Sequence, residues 1–231
     1  MRDLIAESYP QREGIAMNEL GKMAAERGHV SPPEKVRVIA CGMIAREILA
    51  IRADFSLDHI ELKCLPAIYH HYPDRIAPAV ERAIKRARRE GIEHIFVGYA
   101  DCGTGGMLDK VCEQYGVERI AGPHCFSFYV GNTAFAERWD DDMTSFFMTD
   151  FLARQFETFL VKPLGLDRHP ELRDMYFGNY SKMIYLAQTD DPELSRKAEK
   201  AAVFLGLAYE RRFTGLGDLV PAIRKAGNKN D

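Results

Sequence analysis

The sequence predicts an α/β fold: a mainly parallel sheet with helices on both faces, arranged as a Rossmann-like three-layer sandwich. Two observations carry that expectation. Short runs rich in Val and Ile alternate with segments whose apolar residues recur every three to four positions, giving β-α-β-α-β-α-β over residues 36–121. No stretch rich in Gly, Ser or Pro interrupts the chain, so its 231 residues are expected to form one domain.

Residues 14–29 have helical spacing through Ile15, Leu20, Met23 and Ala24, which predicts a leading helix inside an N-terminal extension over 1–30. After Pro32 and Pro33, residues 36–40 predict the first strand, which runs into Cys41-Gly42 and a helix bearing Ile44, Ile48 and Ile51. Residues 59–64 predict a second strand ended by Pro66. An amphipathic helix follows over 75–89, with Ile76, Val80 and Ile84 on one side and Gly91 as its stop. Residues 92–99 predict a third strand, 107–115 a helix, and 117–121 a short fourth strand ending at Gly122-Pro123-His124-Cys125. In the second half, 143–161 reads as one long helix and 167–180 as a polar, aromatic stretch. A buried strand at 183–187, a helix at 192–205 and a last strand at 207–213 follow, with a frayed tail over 226–231.

Composition excludes several classes. Hydrophobic residues make up 46% and charged residues 28%, a globular balance, and the net charge of -3 gives no pull toward nucleic acid or a membrane surface. The basic run at 85–89 reads as a solvated helix face. No run approaches the ~18 apolar residues of a membrane span. Arg2, Asp3, Glu7, Arg12 and Glu13 argue against a secretory signal, so a cytoplasmic location is expected. In that reducing compartment the five cysteines are thiols or metal ligands and not a disulfide framework.

Cys41, Cys64, Cys102 and Cys125 each fall at or just after the end of a predicted parallel strand, and the carboxyl ends of such strands form the ligand crevice. Strand ends are also buried places where cysteine serves as a small hydrophobe, and no C-x-x-C pair is present. Cys112, at helical spacing from Leu108, reads as packing only. His70, His71 and His124 lie near the same edge, and thiolate with imidazole suits zinc, iron or an iron–sulfur cluster. His70 is the histidine most favoured as a ligand or acid/base group.

The loop over 99–106 joins a strand to a helix N-terminus. Gly103, Thr104, Gly105 and Gly106 are expected to present backbone amides to a small anionic ligand, although neither a dinucleotide nor a Walker A spacing is present. The helix N-terminus is expected to lower the pKa of Cys102, and Asp101 is the nearest candidate base. Asp167 and His169 read as solvated loop, Thr189 or Asp190 as a helix cap, and Thr149 and Asp150 as helix interior.

At Ala40-Cys41-Gly42, residues 65–70 (LPAIYH), residues 98–103 (GYADCG) and His124-Cys125, the sequence resembles the bacterial and archaeal family known as domain of unknown function 1638. The resemblance runs over about residues 36–218 and implies that Cys41, His70, Cys102 and Cys125 match family motif positions, with Cys64 a subgroup feature. It also implies a setting near corrinoid-dependent methyl-transfer proteins in one-carbon metabolism, with a corrinoid or methyltransferase protein as partner. The D-x-H-x-x-G pattern of corrinoid carriers is absent. The expectation is a metal-binding protein, catalytic or accessory, with Cys41, Cys102 and Cys125 as ligands and His70 or Cys64 completing or flanking the site. The alternative is a metal-free enzyme with Cys102 as nucleophile, His70 or His124 as base and a small anionic substrate.

Overall fold

A computed structural model describes residues 34–228; the expected leading helix at 14–29 and the end of the tail lie outside them. The first half forms the expected parallel sheet. β1 (Val36–Cys41) pairs with β2 (Ile60–Leu65) on one side and β3 (His94–Gly98) on the other, with β4 (Glu118–Arg119) beyond β3. Strand alternation sends Val36, Val38 and Ala40 to one face and Ile39 to the other. On the Ile39 face lie α2 (Ile76–Arg89), through Ile76, Val80 and Ile84, and α3 (Met107–Tyr115), through Leu108 and Cys112. On the opposite face, α1 (Ala45–Asp54) buries Ile48 and Ile51. Gly98 permits that close layer, since a Cβ there would lie 2.9 Å from Ala40 Cβ. The basic run is a paired, exposed face: Lys85 bonds Glu81, Arg86 bonds Glu90 and Arg88 bonds Glu93.

After the short helices α4 (Cys125–Val130), α5 (Asn132–Glu137) and α6 (Trp139–Asp142), the structure departs from expectation. Residues 143–161 are not one helix. They contain β5 (Ser145–Thr149), then α7 (Asp150–Phe156), then a π-helical turn (Glu157–Val161). The run Ser-Phe-Phe-Met-Thr is short and apolar and satisfies either period, so only its pairing decides. That pairing is with β6 (Lys182–Ala187), which pairs in turn with β7 (Ala208–Phe213). The described residues therefore hold two parallel sheets and not one: β2-β1-β3-β4 and β5-β6-β7. The 167–180 stretch contains a further helix, α8 (Leu172–Phe177), and α9 (Pro192–Leu205) and α10 (Leu219–Gly227) complete the chain. One apolar core joins the sheets, with Val38 and Ala40 of the first and Met183, Tyr185 and Ala187 of the second. Among the described residues no helix is long and apolar enough to cross a membrane.

Asp142 ties α6 to the second sheet. Its buried carboxylate accepts from both terminal guanidinium nitrogens of Arg212 and pairs with Lys182 at 3.3 Å. The Arg212 bond is the main reason its pKa falls to about 2. A depressed carboxylate contributes stability above its unfolded pKa of about 4 and loses it as pH falls through the folded value. Asp142→Asn is therefore expected to cost about 2 kcal/mol at pH 7. It should also flatten the acid limb of urea-melt stability between pH 4 and pH 2. A variant with the wild-type acid limb would remove Asp142 from that role.

Candidate functional site

The chain runs from β1 to β2 on one side, then crosses back to β3 on the other, so the first sheet's switch point lies between the C-terminal ends of β1 and β3. Open α/β sheets leave a crevice there. Cys41 ends β1, and the register pairing Ala40 with Gly98 sets Cys41 level with Tyr99. Beyond the strand ends, Asp101 N donates to Gly122 O at 3.0 Å and Cys102 N donates to Pro123 O at 2.8 Å. These bonds prolong the β3–β4 ladder and bring Cys102 to the segment that carries Cys125. Cys102 has φ +51°, a left-handed conformation costing a side-chain-bearing residue about 1–2 kcal/mol. Backbone strain of this kind clusters at functional sites.

Cys41, Cys102, Cys125 and His70 line one cavity of about 20 Å³, walled further by Tyr99, Ile44, Ile76 and Phe128. That volume accepts one water-sized occupant. Met43 N donates to Cys41 Sγ at 3.5 Å and steadies it. Burial pushes the Cys41 and Cys125 thiols up, and pushes Cys102 up to about 12. The expected lowering at Cys102 is not met, because α3 begins only at Met107, beyond the reach of a helix terminus, and desolvation wins. Tyr99 is 2% exposed. Its hydroxyl lies near Cys41 and has no hydrogen-bond partner among the described residues.

Cys64 stands apart. It is exposed on edge strand β2 and does not line the cavity. Its alternation with buried Leu65 turns it away, a direction that position along the strand alone did not reveal. Cys112 is buried in the α3 face beside Leu108. His70 is the penultimate residue of the 3-10 turn Ala67–His71 and keeps an exposed side, yet desolvation on its inner side, then His71 and His124, hold its pKa down. Neutral imidazole is the form that ligates metals or accepts a proton. His71 Nε2 bonds Phe159 O at 3.0 Å, docking this turn on the π-helical segment. His124 does not line the cavity.

The glycine loop serves its own carboxylate. Gly105 N and Gly106 N donate to Asp101 at 3.3 and 3.0 Å, and Thr104 Oγ1 donates at 2.6 Å. Two amides expected to meet an external anion are thus occupied by the chain's own anion, and a Cβ on Gly105 or Gly106 would meet nothing within 4 Å. Asp101 is held below the ordinary carboxylate range by these bonds, against burial. In this arrangement its carboxylate clamps the loop. His169 pairs with Glu171 on the surface, and the cap of α9 is Asp191, not Thr189 or Asp190.

Two acidic groups escaped the sequence reading. Asp150, fully buried at the β5–α7 junction, accepts from Tyr185 Oη at 2.6 Å, Gln188 N and Thr189 N at 3.1 Å, and Thr189 Oγ1 at 2.6 Å. Glu47 is buried with Oε2 unpartnered among the described residues, and burial raises its pKa. The signal for Glu47 was legible: an acid on the α1 face that also carries Ile48 and Ile51.

In kind, three sulfurs and a nitrogen suit zinc or iron. The shell is not preassembled: among the described residues no group of three or more His, Cys, Asp or Glu side chains is arranged to hold a metal ion. The family model described as protein of unknown function (DUF1638) matches residues 64–223, most of the chain. The chain belongs to that family. The DUF1638 match takes in His70, Cys102 and Cys125 and begins after β1, so Cys41 precedes it. No curated protein and no solved structure matches this DUF1638 chain.

Proposed function

We propose that the protein binds a single thiophilic metal ion, zinc or iron, through Cys41, Cys102 and Cys125 with His70 as fourth donor. The observation that carries this reading is the convergence of three thiols and one imidazole on a one-atom cavity at the switch point. Adjacent buried thiols resist ionisation, and a cation among them removes that penalty. Tyr99 Oη, buried without a partner beside Cys41, is a ready donor to a thiolate. Because the donors are not preassembled, binding draws them together. When bound, the metal supplies Lewis acidity or an activated thiolate. The chain's own part is to exclude water with Ile44, Ile76 and Phe128 and to keep His70 neutral. A role beside corrinoid-linked methyl transfer, catalytic or accessory, rests on the family resemblance alone.

Metal analysis of anaerobically purified protein tests this reading. About one equivalent of zinc or iron per chain is expected, with its binding protecting the thiols from iodoacetamide. Only trace metal after reconstitution, with Cys102 alkylating fastest, would overturn it in favour of a metal-free nucleophile. That second reading draws on the strained φ of Cys102 and on the unassembled shell, with His70 as base.

A further inference from the structure

A second cavity, of about 360 Å³, lies on the other side of His70 and opens along β5. Its walls are aromatic: Phe126, Phe146, Phe147, Phe159, Phe177 and Tyr180. Successive strand residues point to opposite faces, so Ser145, Phe146 and Phe147 line one cavity together only along the free edge of their strand, and β5 is an edge strand. The volume falls in the range of about 300–1,000 Å³ typical of small-molecule sites, whose walls are apolar with a few polar groups. One such group is in place. Ser145 is 5% exposed, and its hydroxyl has no hydrogen-bond partner among the described residues. A buried hydroxyl left unpaired is costly, and a ligand's polar atom would satisfy it.

We infer that this cavity is a binding site for a small, uncharged aromatic molecule carrying one hydroxyl or carbonyl group, which Ser145 recognises. The six rings offer stacked and edge-to-face contacts to a planar ring. Among the described residues no Asp, Glu, Lys or Arg lines the cavity, so a charged ligand would enter without a counter-charge. His70 lines both cavities, so a ring held here has that imidazole as its neighbour on the thiol side. The π-helical turn shapes the wall, since Phe159 packs its ring on His71 at 4.9 Å while its carbonyl accepts from His71 Nε2 at 3.0 Å. Such turns are frequent at functional sites. The inference names a substrate class for the thiol site proposed above, but binding itself does not depend on a metal.

The test is ligand-observed fluorine NMR on the full chain with 4-fluorophenol and fluorobenzene as probes. Saturable broadening of 4-fluorophenol is expected, with fluorobenzene binding about five- to tenfold more weakly, the worth of one hydrogen bond. Ser145→Ala should bring 4-fluorophenol to the fluorobenzene level and leave fluorobenzene unchanged. Leu164→Trp, which adds bulk to the half-buried wall, should abolish both. Cys102→Ser should bind both probes as the parent does, even if it holds no metal, which keeps this inference separate from the metal reading. Absence of saturable binding, wild-type affinity in Ser145→Ala, or preferential binding of tetramethylammonium in competition would each overturn the assignment.

Discussion

Cys102→Ala is expected to abolish stoichiometric metal binding, and Cys41→Ala and Cys125→Ala to do the same, because a shell of three sulfurs and one nitrogen does not survive the loss of a thiolate. Cys64→Ala should retain full metal, since the Cys64 side chain is exposed on the edge strand outside the cavity. Cys112→Ala should retain it as well, at a stability cost of about 1 kcal/mol, because Cys112 only fills space beside Leu108. His70→Ala should weaken binding without ending it, as water takes the fourth position. Metal content by mass spectrometry, with thermal melting to verify folding, reads all of these. Retention of metal by a folded Cys102→Ala or Cys125→Ala chain would remove the shared site, and loss of metal in Cys64→Ala would mean the ligands are misassigned.

The second large effect is at Asp150. Its carboxylate is fully buried and joins the ends of β5 and β6 by accepting from Tyr185, Gln188 and Thr189, with Arg154 at 3.4 Å. Asp150→Ala leaves the Tyr185 hydroxyl, the Thr189 hydroxyl and two backbone amides without their acceptor. The expected loss is about 3–5 kcal/mol, a fall in Tm of roughly 10 °C. Asp150→Asn preserves the shape and one acceptor oxygen but turns an amide N–H₂ toward donors, so an intermediate loss is expected. Denaturant melts of both variants measure this, and a loss below about 1 kcal/mol in Asp150→Ala would show that the junction is held by packing alone.

Legibility followed periodicity. Helices α2, α3 and α9 repeat apolar residues at helical spacing between clear Gly or Pro boundaries, and their limits were readable within a residue or so. β5 was not, because the short run Ser145–Thr149, with three apolar residues at its centre, satisfies strand and helix alike until β6 supplies a partner. That one misreading hid the second sheet, and with it Asp150 at the strand's end and Ser145 at its start. The glycine loop misled for a different reason: its amides are suited to an anion, and Asp101, one turn away along the chain, is the anion they hold.

By itself the sequence determined the alternation of strands and helices and the position of Cys41, Cys102 and Cys125 at the ends of strands that run the same way. Covalent order and hydrophobic period are sufficient for that. Tertiary structure alone decided that Cys64 turns outward, that Tyr99 stands unpartnered beside Cys41, that His70 divides a thiol cavity from an aromatic one, and that burial and not a helix terminus governs the thiols. The direction of a side chain follows from register and pleat, and its desolvation from what other segments pack over it. Both are set by residues far away in the chain, which no local pattern contains.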